Sequence, residues 1–249
     1  GVALNYATPV GLMGGEPYRI LELTPYVGAS KATSSVILYV MMHIFSHFCF
    51  WFFSIFLYLA LRPVDIAMGT ILAVVGAVSL LAIYFFMKGY KNGMAVRTLK
   101  LLQHIPFVKE WAKRFSENKR EALERVDSQI AELHKQRRST FYASLSLEFM
   151  ARIIGCLEVY FILNILTTDV SFPACILIMA FTSLFANLFF FSPMQLGARE
   201  GGFALAVGGL AIPGAFGVYT GLITRVRELI WIVIGVLLMK VGNGTPANK

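Results

Sequence analysis

Charged residues are scarce in this 249-residue chain: Asp, Glu, Lys and Arg together make up 14% of it, whereas hydrophobic residues make up 57%. Soluble globular domains carry about 25% charged residues. The mean hydropathy of +0.68 also lies outside soluble-domain usage. The shortage of charge therefore excludes a soluble domain and predicts an integral membrane protein.

Cysteine is also rare, and the common catalytic signatures are missing. Cys49, Cys156 and Cys175 lie in apolar segments, and their odd number and spacing fit neither a disulfide framework nor a metal site. The sequence contains no Walker motif, no dinucleotide fingerprint and no Ser/His/Asp signature. We therefore expect no cofactor and no metal, and any transport would be passive or driven by an ion gradient.

Long apolar stretches occur throughout the chain. Four contain no Asp, Glu, Lys or Arg and are long enough to cross a bilayer as a helix, for which about 20 residues suffice: 36–61, 66–87, 170–198 and 201–224. Two more, about 139–166 and 225–240, are interrupted by charges. The pattern predicts an all-α, polytopic membrane helical bundle of roughly six segments, and alternating strands typical of a barrel are absent from the sequence.

The region 88–138 holds most of the basic charge, with 13 of the 22 Lys and Arg against 6 acidic residues. Basic residues beside membrane segments stay on the cytoplasmic side, so we predict a cytoplasmic loop here. Within it, 117–138 has helical composition and a narrow apolar stripe, which predicts a helix on the membrane surface or, alternatively, a solvated charged helix. The cytoplasmic position of this loop explains the excess of Lys and Arg in the chain, so we expect no nucleic-acid partner.

Two short segments far apart in the chain share an unusual pattern. Pro9 to Glu16 and Pro193 to Glu200 both read P-x-x-L-x-x-x-E. Proline removes a backbone donor, glycine loosens a helix, and a charge in hydrocarbon is costly. Paired broken segments in two halves of a transporter usually mark its binding site. We therefore predict two broken or re-entrant segments that meet near the membrane midplane; the alternative is a chance match.

Each of these segments places glycines beside an acid and an arginine. The predicted backbone hinges are the prolines and glycines of both segments: Pro9, Gly14, Gly15, Pro193, Gly197 and Gly201. The predicted headgroup-handling pairs are Glu16 with Arg19 and Arg199 with Glu200. A helix starting at each break would offer free N–H groups to a lipid phosphate, and arginine would supply a fork-shaped partner. The alternative is that each Arg and Glu pair with each other in a polar hinge.

Other ionisable residues also lie in apolar sequence. Glu148 and Arg152 are four residues apart and can neutralise each other on one helix face, whereas Glu158 lies deeper without a local partner. Arg225 and Glu228, with Arg227, interrupt the last apolar region. Charges inside a membrane are functional candidates, so we add Glu158, Arg225 and Glu228 to the predicted translocation site; an interhelical salt bridge is the alternative.

Two histidines, His43 and His47, are spaced to share one helix face. Two ligands without a third are weak grounds for a metal site, and the neighbouring aromatic residues favour a packing role. If the protein performs chemistry on a lipid, the candidate acid or base is His43, Glu158 or Glu200.

The second broken segment also carries a family resemblance. Ser192 to Gly201 resembles the P-x-x-x-G-x-R-E-[GA] signature of the flippase-like transmembrane domain of lysylphosphatidylglycerol synthase. Asn5 to Arg19 is similar to that family's first motif, N-x-x-x-P followed by G-G-E-x-x-R. The resemblance covers nearly the whole chain. It implies a single domain over 1–249 that lacks roughly two N-terminal helices, an expectation that agrees with the start at Gly1 without an initiator methionine.

The resemblance implies a function in membrane lipid handling. In bifunctional relatives this domain moves aminoacylated phosphatidylglycerol between leaflets, and a separate soluble domain attaches the amino acid; here we expect a stand-alone member. We expect a translocase for an anionic phospholipid or a polyprenyl-linked lipid or glycolipid in a bacterial or archaeal cytoplasmic membrane. The alternatives are a membrane-embedded transferase or hydrolase and a non-catalytic subunit. Membrane lipids are the expected partners, with a homo-oligomer or a lipid-modifying enzyme as further possibilities.

Overall fold

A computed structural model describes residues 15–92, 138–167, 169–189 and 195–242, together with Leu4 and Ser128. Its regular elements are seven helices: α1 (Gly15–Val27), α2 (Ala29–Leu61), α3 (Ile66–Asn92), α4 (Arg138–Leu166), α5 (Phe172–Leu188), α6 (Ala198–Gly208) and α7 (Gly214–Gly242). No strand occurs among these residues, so the prediction of an all-α membrane bundle is confirmed.

Among the described residues, three helices are long and apolar enough to cross a membrane: Ala29–Leu61, Ile66–Lys88 and Ser139–Leu166. They correspond to the predicted apolar stretches 36–61, 66–87 and 139–166. Helix α5 is apolar but shorter, at 17 residues. Helix α6 has only 11 residues, which is about 16 Å at the rise of an α-helix and too short to span the hydrocarbon core.

The uncharged stretch 201–224 is long enough for one spanning helix, and the sequence leaves open whether 192–212 spans or re-enters the membrane. The structure divides the stretch between two helices. Helix α6 ends at Gly208, a turn follows, and α7 begins at Gly214. Within the turn, the N–H of Leu210 donates to the carbonyl of Val207, and Ala211 has a positive φ of 61°. Helix α7 then continues without a break through Arg225 and Glu228, where the sequence suggested an interruption.

The residues form two compact units, Gly1–Arg19 with Arg152–Lys249 and Ile20–Ala151. In the first unit, α4, α5 and α6 share an apolar core of fully or nearly fully buried side chains: Val159, Leu163, Val170, Cys175, Ile178, Phe203 and Val207. Asn164 braces the turn between α4 and α5, because its amide donates to the carbonyl of Val170 and its oxygen accepts from the Val170 N–H.

In the second unit, α2 and α3 pack against each other and the first half of α4 joins them. Met42, Phe45 and Phe141 are buried together, and side chains of α3 including Phe86 cover them. The rings of Phe45 and Phe86 stack with centroids 5.3 Å apart. The predicted division into one domain over 1–249 stays a prediction. Apart from Ser128 and the ends of α3 and α4, the predicted loop 88–138, with its surface helix, lies outside the described residues.

Candidate functional site

Glycines allow α6 to lie directly on α7. A Cβ at Gly217 would stand 2.5 Å from the carbonyl oxygen of Phe203, and a Cβ at Gly221 would stand 3.0 Å from Cγ of Glu200. Gly217 and Gly221 are four residues apart, which is the G-x-x-x-G spacing that lets membrane helices approach closely. The close approach brings the charged first turn of α6 beside the middle of α7. The sequence analysis did not single out these glycines, although the G-x-x-x-G spacing can be recognised in the sequence.

The chain turns sharply just before α6. Gln195 and Gly197 both have positive φ angles, of 53° and 79°. Gly197 precedes the first helical residue, and its N–H donates to Oε2 of Glu200 at 2.9 Å. A carboxylate in this position also lies near the positive end of the helix dipole. The predicted hinge at Gly197 is thus a tight turn that starts a helix, and Gly201 lies inside that helix.

Arg225 on α7 is the centre of an ion-pair network. Its Nε–H donates to Oε1 of Glu200 at 2.9 Å, and its Nη1–H donates to Oε2 of Glu228 at 3.2 Å. Its Nη2–H donates to the backbone carbonyl of Gln195 at 3.0 Å. All three nitrogens of the guanidinium therefore have partners, and the contact to Gln195 was not predicted.

The second arginine of the network is Arg199, which donates from Nη1 to Oε1 of Glu228. Glu228 thus bridges two arginines, and the network runs Arg199, Glu228, Arg225, Glu200. These four side chains are between 5% and 19% exposed. With two positive and two negative charges, the network is neutral as a whole, which makes its burial tolerable.

Glu200 accepts hydrogen bonds from Arg225 and from the Gly197 N–H, and it lies beside the positive charge of Arg225. Its oxygens therefore act as hydrogen-bond acceptors in the network.

A further ion pair lies outside this network. Nη1 of Arg227 on α7 is 3.1 Å from Oε2 of Glu158 on α4, and the Arg227 side chain is 47% exposed. Glu158 therefore has an interhelical partner, as the alternative interpretation expected. It is not joined to the network by any described contact.

The first broken segment is described only in part. Glu16 and Arg19 lie in the first turns of α1 and pair with each other at 3.1 Å, and Gly15 is buried. Pro9, Gly14 and Pro193 lie outside the described residues. The approach of the two segments to each other stays a prediction.

The structure contradicts one expected pairing and adds another contact. The alternative in which Arg199 and Glu200 neutralise each other was wrong, because each pairs with a residue of α7. These neighbours on α6 point to different partners, Glu228 and Arg225. In the other unit, Glu148 accepts a hydrogen bond from Nδ1 of His43 at 3.3 Å. Among the described residues no group of three His, Cys, Asp or Glu could hold a metal.

Chemically, the network offers two guanidinium forks and two carboxylates in apolar surroundings. Guanidinium binds phosphate and carboxylate groups with the same bidentate geometry. A phosphate can therefore replace a carboxylate of the network as a partner of Arg199 or Arg225.

Comparison with known proteins identifies a family for the chain. A scan of protein families matches residues 1–235 to the lysylphosphatidylglycerol synthase TM region. No curated protein matches the chain, and no solved structure does. The apolar helices and the family together indicate a membrane protein linked to lipid modification or translocation. The chain belongs to the family of the lysylphosphatidylglycerol synthase TM region.

Proposed function

We propose that this protein is a lipid translocase and that the network of Arg199, Glu200, Arg225 and Glu228 handles the headgroup. The observation that carries the proposal is the network itself: four charged side chains held together on the short helix α6 and the long apolar helix α7. Charges within membrane segments are costly and commonly mark a substrate or ion pathway.

The proposed mechanism is an exchange of partners. At rest, Glu200 and Glu228 neutralise the two arginines. An arriving phosphate takes the place of one carboxylate on Arg225 or Arg199, and the displaced carboxylate returns when the headgroup leaves. Each exchange keeps both arginines paired with an anion, and the displaced carboxylate takes up a proton, so the total charge of the site stays at zero in hydrocarbon. The substrate class is an anionic phospholipid or a polyprenyl-linked lipid or glycolipid, in a bacterial or archaeal cytoplasmic membrane.

Two further pairs take supporting roles in this proposal. Glu16 with Arg19 repeats the combination of acid and arginine in the first broken segment, and Glu158 with Arg227 lies on the same helix α7 as the network. Movement is passive or driven by an ion gradient. A second copy of the chain or a lipid-modifying enzyme is the protein partner that fits such a role.

The test is lipid movement in reconstituted liposomes. The purified protein is inserted into vesicles that contain a fluorescent phosphatidylglycerol, and dithionite reports the fraction of label in the outer leaflet. We expect Arg225→Lys, which keeps the charge but loses the fork, to remain folded and to slow movement about tenfold or more, consistent with the loss of a charge-assisted hydrogen bond. Arg62→Gln, in the exposed connection after α2, is the control and leaves the rate unchanged.

Three results would contradict the proposal. Equal rates in vesicles with and without the protein, across anionic and polyprenyl-linked lipids, would rule out translocation. Recovery of a chemically altered lipid by mass spectrometry would instead favour the transferase or hydrolase. A folded Arg225→Lys variant with the rate of the unchanged protein would show that the network is structural only.

A further inference from the structure

A groove of about 640 Å³ lies within the second unit, between α2 and the first half of α4. This volume falls in the range of pockets that bind small ligands, about 300–1,000 Å³. Most of its wall is apolar and includes Leu38, Met42, Phe141 and Leu147. None of its lining residues belongs to the charge network, whose residues are all in the first unit.

Two polar stripes line this groove. On α2, Ser35 and Tyr39 are four residues apart and both face the groove, and His43 is the next residue in that series. On α4, Thr140 and Ser144 follow the same spacing. Residues four apart lie on one face of a helix, so each helix presents a continuous row of polar groups.

On α4 the row of lining polar residues includes Glu148, and on α2 His43 follows Tyr39 at the same spacing. The hydrogen bond from Nδ1 of His43 to Oε2 of Glu148, 3.3 Å long, joins the two stripes. The Tyr39 ring stacks on the His43 ring with centroids 6.1 Å apart. Glu148 is ten residues into α4, about 15 Å along its axis, which is half the thickness of a hydrocarbon core.

The charge of the groove selects its ligand. Among the described residues that line it, Glu148 carries the only charge, and none is Lys or Arg. A phosphate would meet a carboxylate there, and no Lys or Arg among these lining residues would bind it. Hydroxyl groups fit better, because they donate to a carboxylate and both donate to and accept from Ser, Thr and Tyr hydroxyls. Apolar walls suit the attached hydrocarbon chain.

We propose that this groove binds a membrane lipid through an uncharged, hydroxyl-bearing headgroup, such as a sugar or a glycerol, with Glu148 as the main hydrogen-bond acceptor and Ser144 beside it. Binding at this site does not depend on translocation by the charge network. A measurement of binding alone therefore tests it separately from the proposed function.

The experiment compares three chain-labelled fluorescent lipids that have the same acyl chains: a monoglucosyl diacylglycerol, diacylglycerol and phosphatidic acid. Equilibrium binding to the purified protein in nanodiscs is measured for each. We expect the glucosyl lipid to bind about tenfold more tightly than the other two, the factor that one charge-assisted hydrogen bond supplies.

Matched variants locate the site. Ser144→Phe fills the groove at an exposed position and should weaken binding of the glucosyl lipid about tenfold or more, whereas Ser146→Phe, two residues along and outside the groove, should not change it. Glu148→Gln should weaken binding less than Ser144→Phe. Circular dichroism and gel filtration establish that each variant is folded.

Three outcomes would overturn the proposal. Phosphatidic acid that binds as tightly as the glucosyl lipid would remove the argument from charge. Diacylglycerol that binds equally would reduce the groove to a site for acyl chains. Equal weakening by Ser144→Phe and Ser146→Phe in folded proteins would place the site elsewhere.

Discussion

Replacing Glu200 with glutamine removes one negative charge from a network that is otherwise neutral. The amide retains an oxygen that can accept from the Gly197 N–H, so the start of α6 is preserved. The main loss is the charge-assisted hydrogen bond from Arg225, which is 2.9 Å long. Arg225 keeps two partners, Glu228 and the carbonyl of Gln195.

The expected cost follows from these contacts. Removing one partner of a buried ion pair costs about 3–5 kcal/mol when the other charge is left alone. Here the remaining arginine stays paired, and Glu200 and Arg225 are each 15% exposed. We therefore expect a loss of about 1.5–3 kcal/mol of stability, the range of a hydrogen bond to a charged group. The protein should remain folded and inserted, while lipid movement is abolished.

A double-mutant cycle identifies the partner of Glu200. Unfolding of the protein in mixed micelles is followed by circular dichroism for Glu200→Gln, Arg225→Gln and the combination, and then for the same cycle with Arg199→Gln. Groups in direct contact show coupling of about 0.5–3 kcal/mol. We expect coupling of about 1 kcal/mol or more between Glu200 and Arg225, and a smaller value between Glu200 and Arg199.

The outcome that would refute this reasoning is a larger coupling between Glu200 and Arg199 than between Glu200 and Arg225. Such a result would restore the local pair that the sequence suggested. Activity of the same variants supplies an independent readout. If the combined Glu200→Gln and Arg225→Gln protein is stable but does not move lipid, the charges are needed for transport as well as for folding. If it moves lipid at the normal rate, the network serves only as a hinge.

Three further predictions concern packing, the outer ion pair and topology. Gly217→Ala should destabilise the protein by about 1–3 kcal/mol through overpacking. Gly201→Ala should not, because its Cβ would meet nothing within 4 Å. Thermal unfolding in detergent compares the two variants. Arg227→Gln should lower the free energy of unfolding by less than about 1 kcal/mol, since Arg227 is half-exposed in its pair with Glu158. A larger loss of stability would show that the pair is buried in the membrane. Ser128→Cys should react with a permeant but not an impermeant thiol reagent in intact cells, and labelling by both would overturn the cytoplasmic loop.

Much of the fold could be predicted from composition and run length. The helices α2, α3 and α4 follow from apolar stretches bounded by Arg62, Asp65 and the basic loop, because a spanning helix must satisfy its own backbone. The family could also be read from the motif that ends in Arg199 and Glu200, and the match over residues 1–235 confirms it.

The stretch after residue 200 shows where counting uncharged residues fails. A run without charges was treated as one segment, although Gly208, Gly209 and Pro213 are turn signals within it. The opposite error occurred at Arg225 and Glu228, where charge was taken as an interruption. Charges do not end a helix when partners on another helix neutralise them, and those partners are set by tertiary contacts that a run length does not contain.

The pairing inside the site could not be predicted from spacing alone. Adjacent residues of a helix point in different directions, so Arg199 and Glu200 were poor candidates for a mutual pair once α6 is helical. Their true partners lie on α7, at a distance of 25 to 29 positions in the chain. The same holds for His43 and Glu148, which are 105 positions apart.

Glycine and charge act together in the arrangement of α6 and α7. A helix of 11 residues buries too little surface to hold two ionised side chains in place by packing alone. Gly217 and Gly221 let its backbone approach α7, so the Glu200 carboxylate can reach Arg225 at 2.9 Å. A side chain at Gly221 would press on Cγ of Glu200 and separate the pair. Through Arg199 and Glu200, the network in turn links the first turn of α6 to α7. Loss of either feature should therefore weaken the other, so Gly221→Leu and Glu200→Gln together should destabilise the protein less than the sum of the two changes.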